Sequence, residues 1–273
     1  MGGRDLDGVG VVGLIAGEGR LPVLLAQAAR AAGCRVVAVT VEGDGADLAA
    51  VADESYRAGF GEFQRIIAIL TRSGVRQVIF AGRVSRARLV AEGDTAFRAR
   101  VLRLGDRGDQ TLFQQVAVEL LGRAGITVAS PLKFVAHLLV EEGVLTRSAP
   151  TEDEARDARA GLDLARKIAA LDVGQTVVLR HGAVLAVEAA EGTDEAIRRG
   201  GKMAPGVVVA KAARPHQDDR FDLPAVGLGT LETMAAVGAR VLAVEAGATL
   251  LLDRDRCLEF ADRSGIAVVG LHL

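Results

Sequence analysis

Short apolar runs alternate with helix-like stretches of about a dozen residues through the first half of the chain, and this alternation restricts the fold most. Residues 9–15 (VGVVGLI) read as a buried strand, 21–32 (LPVLLAQAARAA) as a helix stopped by Gly33, and 35–41 (RVVAVTV) as a second strand. A helix over 62–73, stopped by Gly74, leads to a strand over 77–81, and a helix over 112–124 leads to a strand over 126–129. Strands separated by helices of this length imply parallel βαβ units, so the first half is expected to be a doubly wound, Rossmann-like α/β domain.

Pro131 and Pro150 bracket a joint that contains a short helical stretch at 134–140 and a glycine-containing loop. Thr151-Glu152-Asp153-Glu154 then has the form of a capping box, in which hydroxyl and carboxylate satisfy free N–H groups at a helix start. Ala155, Ala158, Leu162, Ala165 and Ile168 follow at helical spacing, with Gly174 beyond the end. Strand-like runs at 176–180, 183–187, 207–210, 241–245, 249–252 and 267–269 are interleaved with helices at 194–199, 231–237 and 254–264. Arg180-His181-Gly182 resembles a hairpin turn, so strand directions in the second half should be mixed. The expected organisation is an N-terminal α/β domain over 1–131, a linker over 132–150 and a C-terminal α/β domain over 151–273.

At 273 residues, each half can bury a core of its own. Hydrophobic residues make up 50% of the chain and aromatic residues only 3%, so the core must be built from Val, Leu, Ile and Ala. No aromatic platform exists for stacking bases, and a formal net charge of -2 gives no basic footprint, which argues against nucleic acid as a partner. Cys34 and Cys257 lie far apart without CxxC spacing and read as small core residues in a reducing compartment. The segment MGGRDLDG carries acids and leads into a glycine-broken apolar run, so it does not read as a signal peptide. No uninterrupted apolar run approaches the roughly 20 residues of a membrane span. The expectation is a soluble cytoplasmic protein.

Candidate chemistry collects where strands end. GLIAGEGRLP lies between the first strand and first helix; Gly17 and Gly19 would let the backbone approach a ligand, and the helix N-terminus favours an anion. The spacing is not GxGxxG, although Glu42, at the end of the second strand, could mimic the acid that reads a ribose. Arginines crowd residues 82–107; most suit an exposed helix face, but Arg83 and Arg86 follow a strand directly, where ligands collect in open α/β sheets. In the second half a strand runs into Glu188, Glu191, Thr193 and Asp194; helix capping accounts for one of these acids but not the others. Lys202 reads as part of a glycine-flanked loop, and Glu245 ends another strand.

The densest segment is KAARPHQDDRFDLP at 211–224, with Lys211, Arg214 and Arg220 set among Asp218, Asp219 and Asp222. Charge of both signs at a strand end suits a phosphate ester, with cations for its oxygens and carboxylates for a divalent metal. A solvated loop laced with surface ion pairs is the alternative. The four histidines lack ligand spacing, so zinc is not expected, and acidic strand ends suit Mg²⁺, or Mn²⁺, instead. Neither GxSxG nor a Cys/His pairing argues for a covalent nucleophile, which leaves direct attack by water as the simpler chemistry.

Taken in order, GLIAGEGRLP, AGRVSR, GDQTLFQQVA, GVLTRSAPTEDEARDARAG, LDVGQTVVLRHGAVLAVEAAEGTDEAIRRGG, KAARPHQDDRFDLPAVG and VEAGATLLLD resemble the LpxI-type UDP-2,3-diacylglucosamine pyrophosphatases over nearly the whole chain. DVGQ, EGTD and PxQDxRxDxP form the specific part of that signature. These enzymes supply a lipid A precursor in many Gram-negative bacteria. The resemblance implies two α/β domains with an interdomain cleft for the substrate, dependence on Mg²⁺, and attack of water on the α-phosphorus. The products would be UMP and 2,3-diacylglucosamine 1-phosphate (lipid X). It maps the family's essential aspartate onto Asp222, as catalytic base or metal ligand. Matching motifs make Asp218 and Arg220 further catalytic candidates and Glu191 a second metal candidate. Gly17, Gly19, Arg83, Thr193, Asp194, Lys211 and Gln217 are candidates for binding substrate. His216 stands where a small residue is usual, and Arg83 where lysine is usual.

Acyl chains would need an apolar groove near the domain joint. A lipid substrate is compatible with peripheral contact at the cytoplasmic face of the inner membrane, although no amphipathic anchor is evident. The sequence leaves a homodimer open. Two other functions stay open from the residues: a nicotinamide-dependent oxidoreductase, on the glycine loop and Glu42, and a non-catalytic sugar-nucleotide-binding protein.

Overall fold

A computed structural model describes residues 10–59, 61–84, 109–215, 218–221 and 223–273, the stretch 109–113 as backbone alone. Described residues up to Ala136, joined by 218–221, form one compact unit; the remainder, from His137 onward, form a second.

The first unit contains β1 (Val11–Ala16), α1 (Leu21–Ala31), β2 (Arg35–Thr40), α2 (Ala46–Ala49), β3 (Glu54–Arg57), α3 (Phe63–Arg72), β4 (Gln77–Ala81), α4 (Asp109–Arg123), β5 (Thr127–Val128) and α5 (Leu132–Val135). Its sheet is wholly parallel, in the order β3-β2-β1-β4-β5. The central strands β1, β2 and β4 are buried along almost their whole length, which is why they read as unbroken aliphatic runs. Ile15, Val37, Val39, Ile66, Leu70, Val78 and Leu121 form the heart of the core. The edge strand β3 and the single-turn α2 are absent from the sequence reading. The residues of β3, ESYR, are mostly exposed, so β3 carries no apolar signal.

The second unit contains β6 (Gly143–Val144), α6 (Glu152–Ala170), β7 (Thr176–Arg180), β8 (Ala183–Val187), α7 (Thr193–Met203), β9 (Val208–Lys211), β10 (Ala225–Val226), α8 (Leu228–Ala236), β11 (Val241–Glu245), β12 (Leu250–Leu251), α9 (Arg254–Ser264) and β13 (Ala267–Leu271). Its main sheet runs β6-β13-β11-β9-β7-β8, with β9, β11 and β13 parallel and β6, β7 and β8 introducing antiparallel pairs. β10 and β12 form a small parallel pair of their own. The α/β class, the parallel first sheet and the mixed second sheet agree with the sequence reading.

Local chemistry explains the joints. Thr151 Oγ1 accepts from Glu154 N at 3.3 Å while Glu154 Oε2 accepts from Thr151 N at 2.9 Å, closing the capping box that starts α6. His181 (φ 48°) and Gly182 (φ 77°) are both left-handed, as a tight two-residue hairpin between β7 and β8 requires. Gly182 N donates to Asp157 Oδ1 at 2.8 Å, tying the hairpin to α6. Within 132–150, read above as a linker, α5 and a 3₁₀ turn (Ala136–Leu138) are followed by β6, which pairs antiparallel with β13. A two-residue strand has no periodicity to detect. Cys257 is fully buried, and that burial pushes its thiol up to about 11; Cys34 is half-buried. Among the described residues, no helix is long and apolar enough to cross a membrane.

The structure corrects the sequence reading of α7. The sequence gives a helix over 194–199 with Lys202 in a glycine-flanked loop, yet the helix continues to Met203 and Lys202 is an exposed residue of its last turn. The glycine serves packing: a Cβ on Gly200 would lie 2.4 Å from Val178 Cγ1, in the fully buried centre of β7. Overpacking costs about 1–3 kcal/mol, while replacing a mid-helix glycine by alanine returns about 1 kcal/mol. Gly200→Ala should therefore lower unfolding free energy by up to about 2 kcal/mol, measurable by urea titration; a stabilised variant would contradict this packing.

Candidate functional site

In the first unit, strand order reverses between β1 and β4, and the crevice beyond the carboxyl ends of such a pair is where open α/β sheets bind ligands. The two loops leaving these strands are stitched together. Gly17 N donates to Ala81 O at 2.8 Å, and Glu18 and Arg83 exchange both backbone hydrogen bonds at 2.8 Å. A Cβ on Gly17 would sit 2.3 Å from the Arg83 carbonyl oxygen. Gly17 thus lacks a side chain where two protein backbones meet. Gly19 has φ 108° and open space around it, and α1 begins immediately after without an acidic residue in its first turn. Arg83 is exposed beside this loop.

Residues 218–221 also belong to this unit, although they lie far along the chain. The Phe221 ring packs 5.0 Å from Phe80 of β4, and Ser130, just past β5, donates from Oγ to Asp219 Oδ2 at 2.6 Å. Arg220 folds back on Asp218, with Nε donating to Oδ1 at 2.9 Å and Nη2 to Oδ2 at 2.7 Å. Those hydrogen bonds hold the Asp218 carboxyl below the usual carboxylate range and raise Arg220 further. Two of the predicted catalytic groups are therefore each other's counterion. Asp222, Gln217 and His216 lie outside the described residues, as does Arg86.

In the second unit, the carboxyl end of β9 meets the start of β7, with Lys211 opposite Thr176. Lys211 Nζ donates to Thr193 Oγ1 at 3.0 Å, and Thr193, the first residue of α7, donates to Glu188 Oε1 at 3.0 Å. The buried Thr176 hydroxyl lies 3.4 Å from that of Thr193, and Gln175 N donates to the second Glu188 oxygen at 3.3 Å. Gly174 makes room for this: a Cβ there would be 2.1 Å from the Glu188 carbonyl oxygen. The result is a hydrogen-bonded line from a cation through a hydroxyl to a carboxylate, half-buried at a sheet edge. Nearby, Glu245 accepts from Ala213 N at 2.8 Å and pairs with Arg166, and Arg214 pairs with Asp172 at 3.1 Å.

Of the predicted substrate-binding residues, Thr193 and Lys211 touch, while Asp194 follows half-buried in the first turn of α7. Glu191 is held by Arg199, whose Nη2 also donates to Val187 O at 2.7 Å. Its own backbone N–H, then Arg199, keep that carboxyl below the usual range. Among the described residues no group of three or more His, Cys, Asp or Glu side chains is arranged to hold a metal. Sequence reasoning gave no role to Thr176, Gln175 and Ser130: Gln175 stands in the DVGQ motif without an assignment, while Thr176 and Ser130 are marked only by position at strand ends, which nothing in one-dimensional spacing distinguishes.

Two family profiles match consecutive parts of this chain: the LpxI N-terminal domain over residues 11–138 and the LpxI C-terminal domain over 141–269. The chain is 35% identical, over 273 residues, to UDP-2,3-diacylglucosamine pyrophosphatase LpxI of Caulobacter vibrioides, covering 95% of this chain and 97% of that one. Among solved structures, an ADP complex of N5-carboxyaminoimidazole ribonucleotide synthetase aligns with 70% of this chain at 14% identity and a TM-score of 0.29. The same synthetase from Thermotoga maritima aligns with 64% at 18% identity and a TM-score of 0.26. This chain spans only 44% and 40% of those two structures, and likenesses so slight carry no argument.

The Asp218–Arg220 pair makes a titration prediction. A depressed carboxyl contributes stability that is fully present above its unfolded value, about 3.9, and lost as pH falls through its folded value. Arg220→Gln should raise the Asp218 titration midpoint, followed by carbon-detected NMR, toward the ordinary aspartate range. A midpoint that does not move would show that Arg220 is not the cause.

Proposed function

The chain belongs to the LpxI family, and we propose that it hydrolyses the pyrophosphate of UDP-2,3-diacylglucosamine to UMP and 2,3-diacylglucosamine 1-phosphate, a step of lipid A synthesis. The observation that carries this reading is the end-to-end likeness to the Caulobacter enzyme, through both family domains in order. The chemistry of the described residues supports it. The reaction breaks one phosphoric anhydride bond, so negative charge must be met on both phosphoryl groups and one water must lose a proton. Lys211 supplies a cation whose ammonium group is oriented by Thr193, and Glu188 holds the Thr193 hydroxyl so that its oxygen faces Lys211 as an acceptor. Arg83 and the N-terminus of α1, which has no side-chain cap, offer a place for phosphate on the first unit.

Water attacks the α-phosphorus in this reading, and the lipid 1-phosphate leaves. Asp222 is the essential acid, following directly on the Phe221 anchor in sequence. Asp222 would also hold Mg²⁺, or Mn²⁺, with substrate phosphate and water completing the shell; Glu191 would join only after leaving Arg199. A bound divalent ion neutralises phosphoryl charge and acidifies water. Arg220, already paired with Asp218, acts in positioning the 218–221 segment. A lipid substrate would bring the enzyme to the cytoplasmic face of the inner membrane.

Turnover in ¹⁸O-water should place label in UMP; label in the lipid phosphate would overturn α-attack. Asp222→Ala should melt like the wild type yet lose roughly 100-fold or more in kcat, and near-normal turnover would remove Asp222 from the mechanism. Chelation should abolish activity, with Mg²⁺ or Mn²⁺ restoring it.

A further inference from the structure

A cavity of about 380 Å³ opens over the carboxyl ends of β2 and β3 in the first unit, within the size range of small-molecule sites. Thr40, Glu42 and Gly43 line it at the end of β2, Arg57 and Gly59 at the end of β3, and Arg65 from the first turn of α3. Its rim is tied by specific contacts. Arg57 donates from Nη1 to the Asp44 carbonyl at 2.5 Å and from Nη2 to the Gly43 carbonyl at 2.6 Å, fastening the loop after β2 to the end of β3. Gly59 N donates to Glu62 Oε2 at 2.6 Å, and the same carboxylate holds Arg65 at 3.2 Å. Thr40 is only 3% exposed, and its Oγ1 finds no hydrogen-bond partner among the described residues.

The cavity adjoins the glycine loop after β1, because a Cβ on Gly43 would lie 3.1 Å from Glu18 Cγ. In parallel sheets of this order, nucleotide phosphates sit at the helix following β1 and an acid at the end of β2 reads the ribose. Glu42 stands at that place, half-buried, without the GxGxxG fingerprint that ordinarily announces it. We propose that this cavity binds the nucleoside of the substrate. Glu42 accepts a hydrogen bond from a ribose hydroxyl, and Arg65, with N–H donors beyond those engaged by Glu62, meets carbonyl oxygens of the base. A rim of one carboxylate and two guanidinium groups suits hydroxyl donors and carbonyl acceptors, and rejects acyl chains. The identity of the base as uracil rests on the function proposed above; the pocket itself does not.

Calorimetric titration of the full chain with UMP and dUMP tests this. Wild type should prefer UMP about tenfold, as loss of a hydrogen bond to a charged group implies. Glu42→Gln should reduce that preference to within about twofold, while Arg65→Met weakens both nucleotides alike and leaves the preference intact. Absence of UMP binding to wild type, equal affinity for the two nucleotides, or a preference that survives Glu42→Gln would overturn the pocket. If the lipid substrate is turned over while any of these holds, the pocket falls and the hydrolase reading stands. If the preference depends on Glu42 but the substrate is not turned over, the reading falls and the pocket stands.

Discussion

Backbones that approach too closely for any side chain underlie both groups of candidate residues. At the end of β1, Gly17 lies against the Arg83 carbonyl, and the reciprocal Glu18–Arg83 hydrogen bonds set where the loops after β1 and β4 begin. At the start of β7, Gly174 lies against the Glu188 carbonyl, and from there Glu188 reaches Thr193 and, through it, Lys211. Neither contact is itself chemical. Each sets the origin from which polar side chains project, so a methyl group at either glycine would displace the groups that follow.

Charge pairing divides the polar residues into two kinds. Asp218 with Arg220, Glu191 with Arg199 and Arg214 with Asp172 answer one another and shape loops. The partly exposed pairs among them contribute little to stability, so their value lies in position. Lys211, Thr193 and Glu188 differ because a hydroxyl intervenes between cation and carboxylate. The ammonium group then keeps donors for an incoming anion. In the first unit Glu42 and Arg65 line one cavity.

Phe221 shows how a charged segment is placed. Between Arg220 and the residues that follow, a single aromatic side chain packs on Phe80, and Asp219 is caught by Ser130. The segment therefore folds with the parallel sheet of the first unit, although the described residues up to 215 and from 223 onward belong to the second. With so few aromatic residues in the chain, a Phe inside a run of charges marks an anchor, a signal that was available in the sequence and went unread.

The sequence by itself determined the strand–helix alternation, the capping box at Thr151, the His181-Gly182 hairpin and the family motifs, because each rests on residues adjacent in the chain. It located most central strands to within a residue or two, since burial on both faces demands unbroken aliphatic runs. It missed β3 and β6, whose short or exposed residues carry no periodic pattern, and it ended α7 at 199, short of its packing glycine. Only the tertiary structure decided that Gly17 serves a backbone crossing, that Asp218 is matched by Arg220, that 218–221 joins the first sheet, and that Glu42 borders a cavity with Arg65. Those facts depend on which groups meet across long chain separations, and residue type at a position does not encode its neighbours in space.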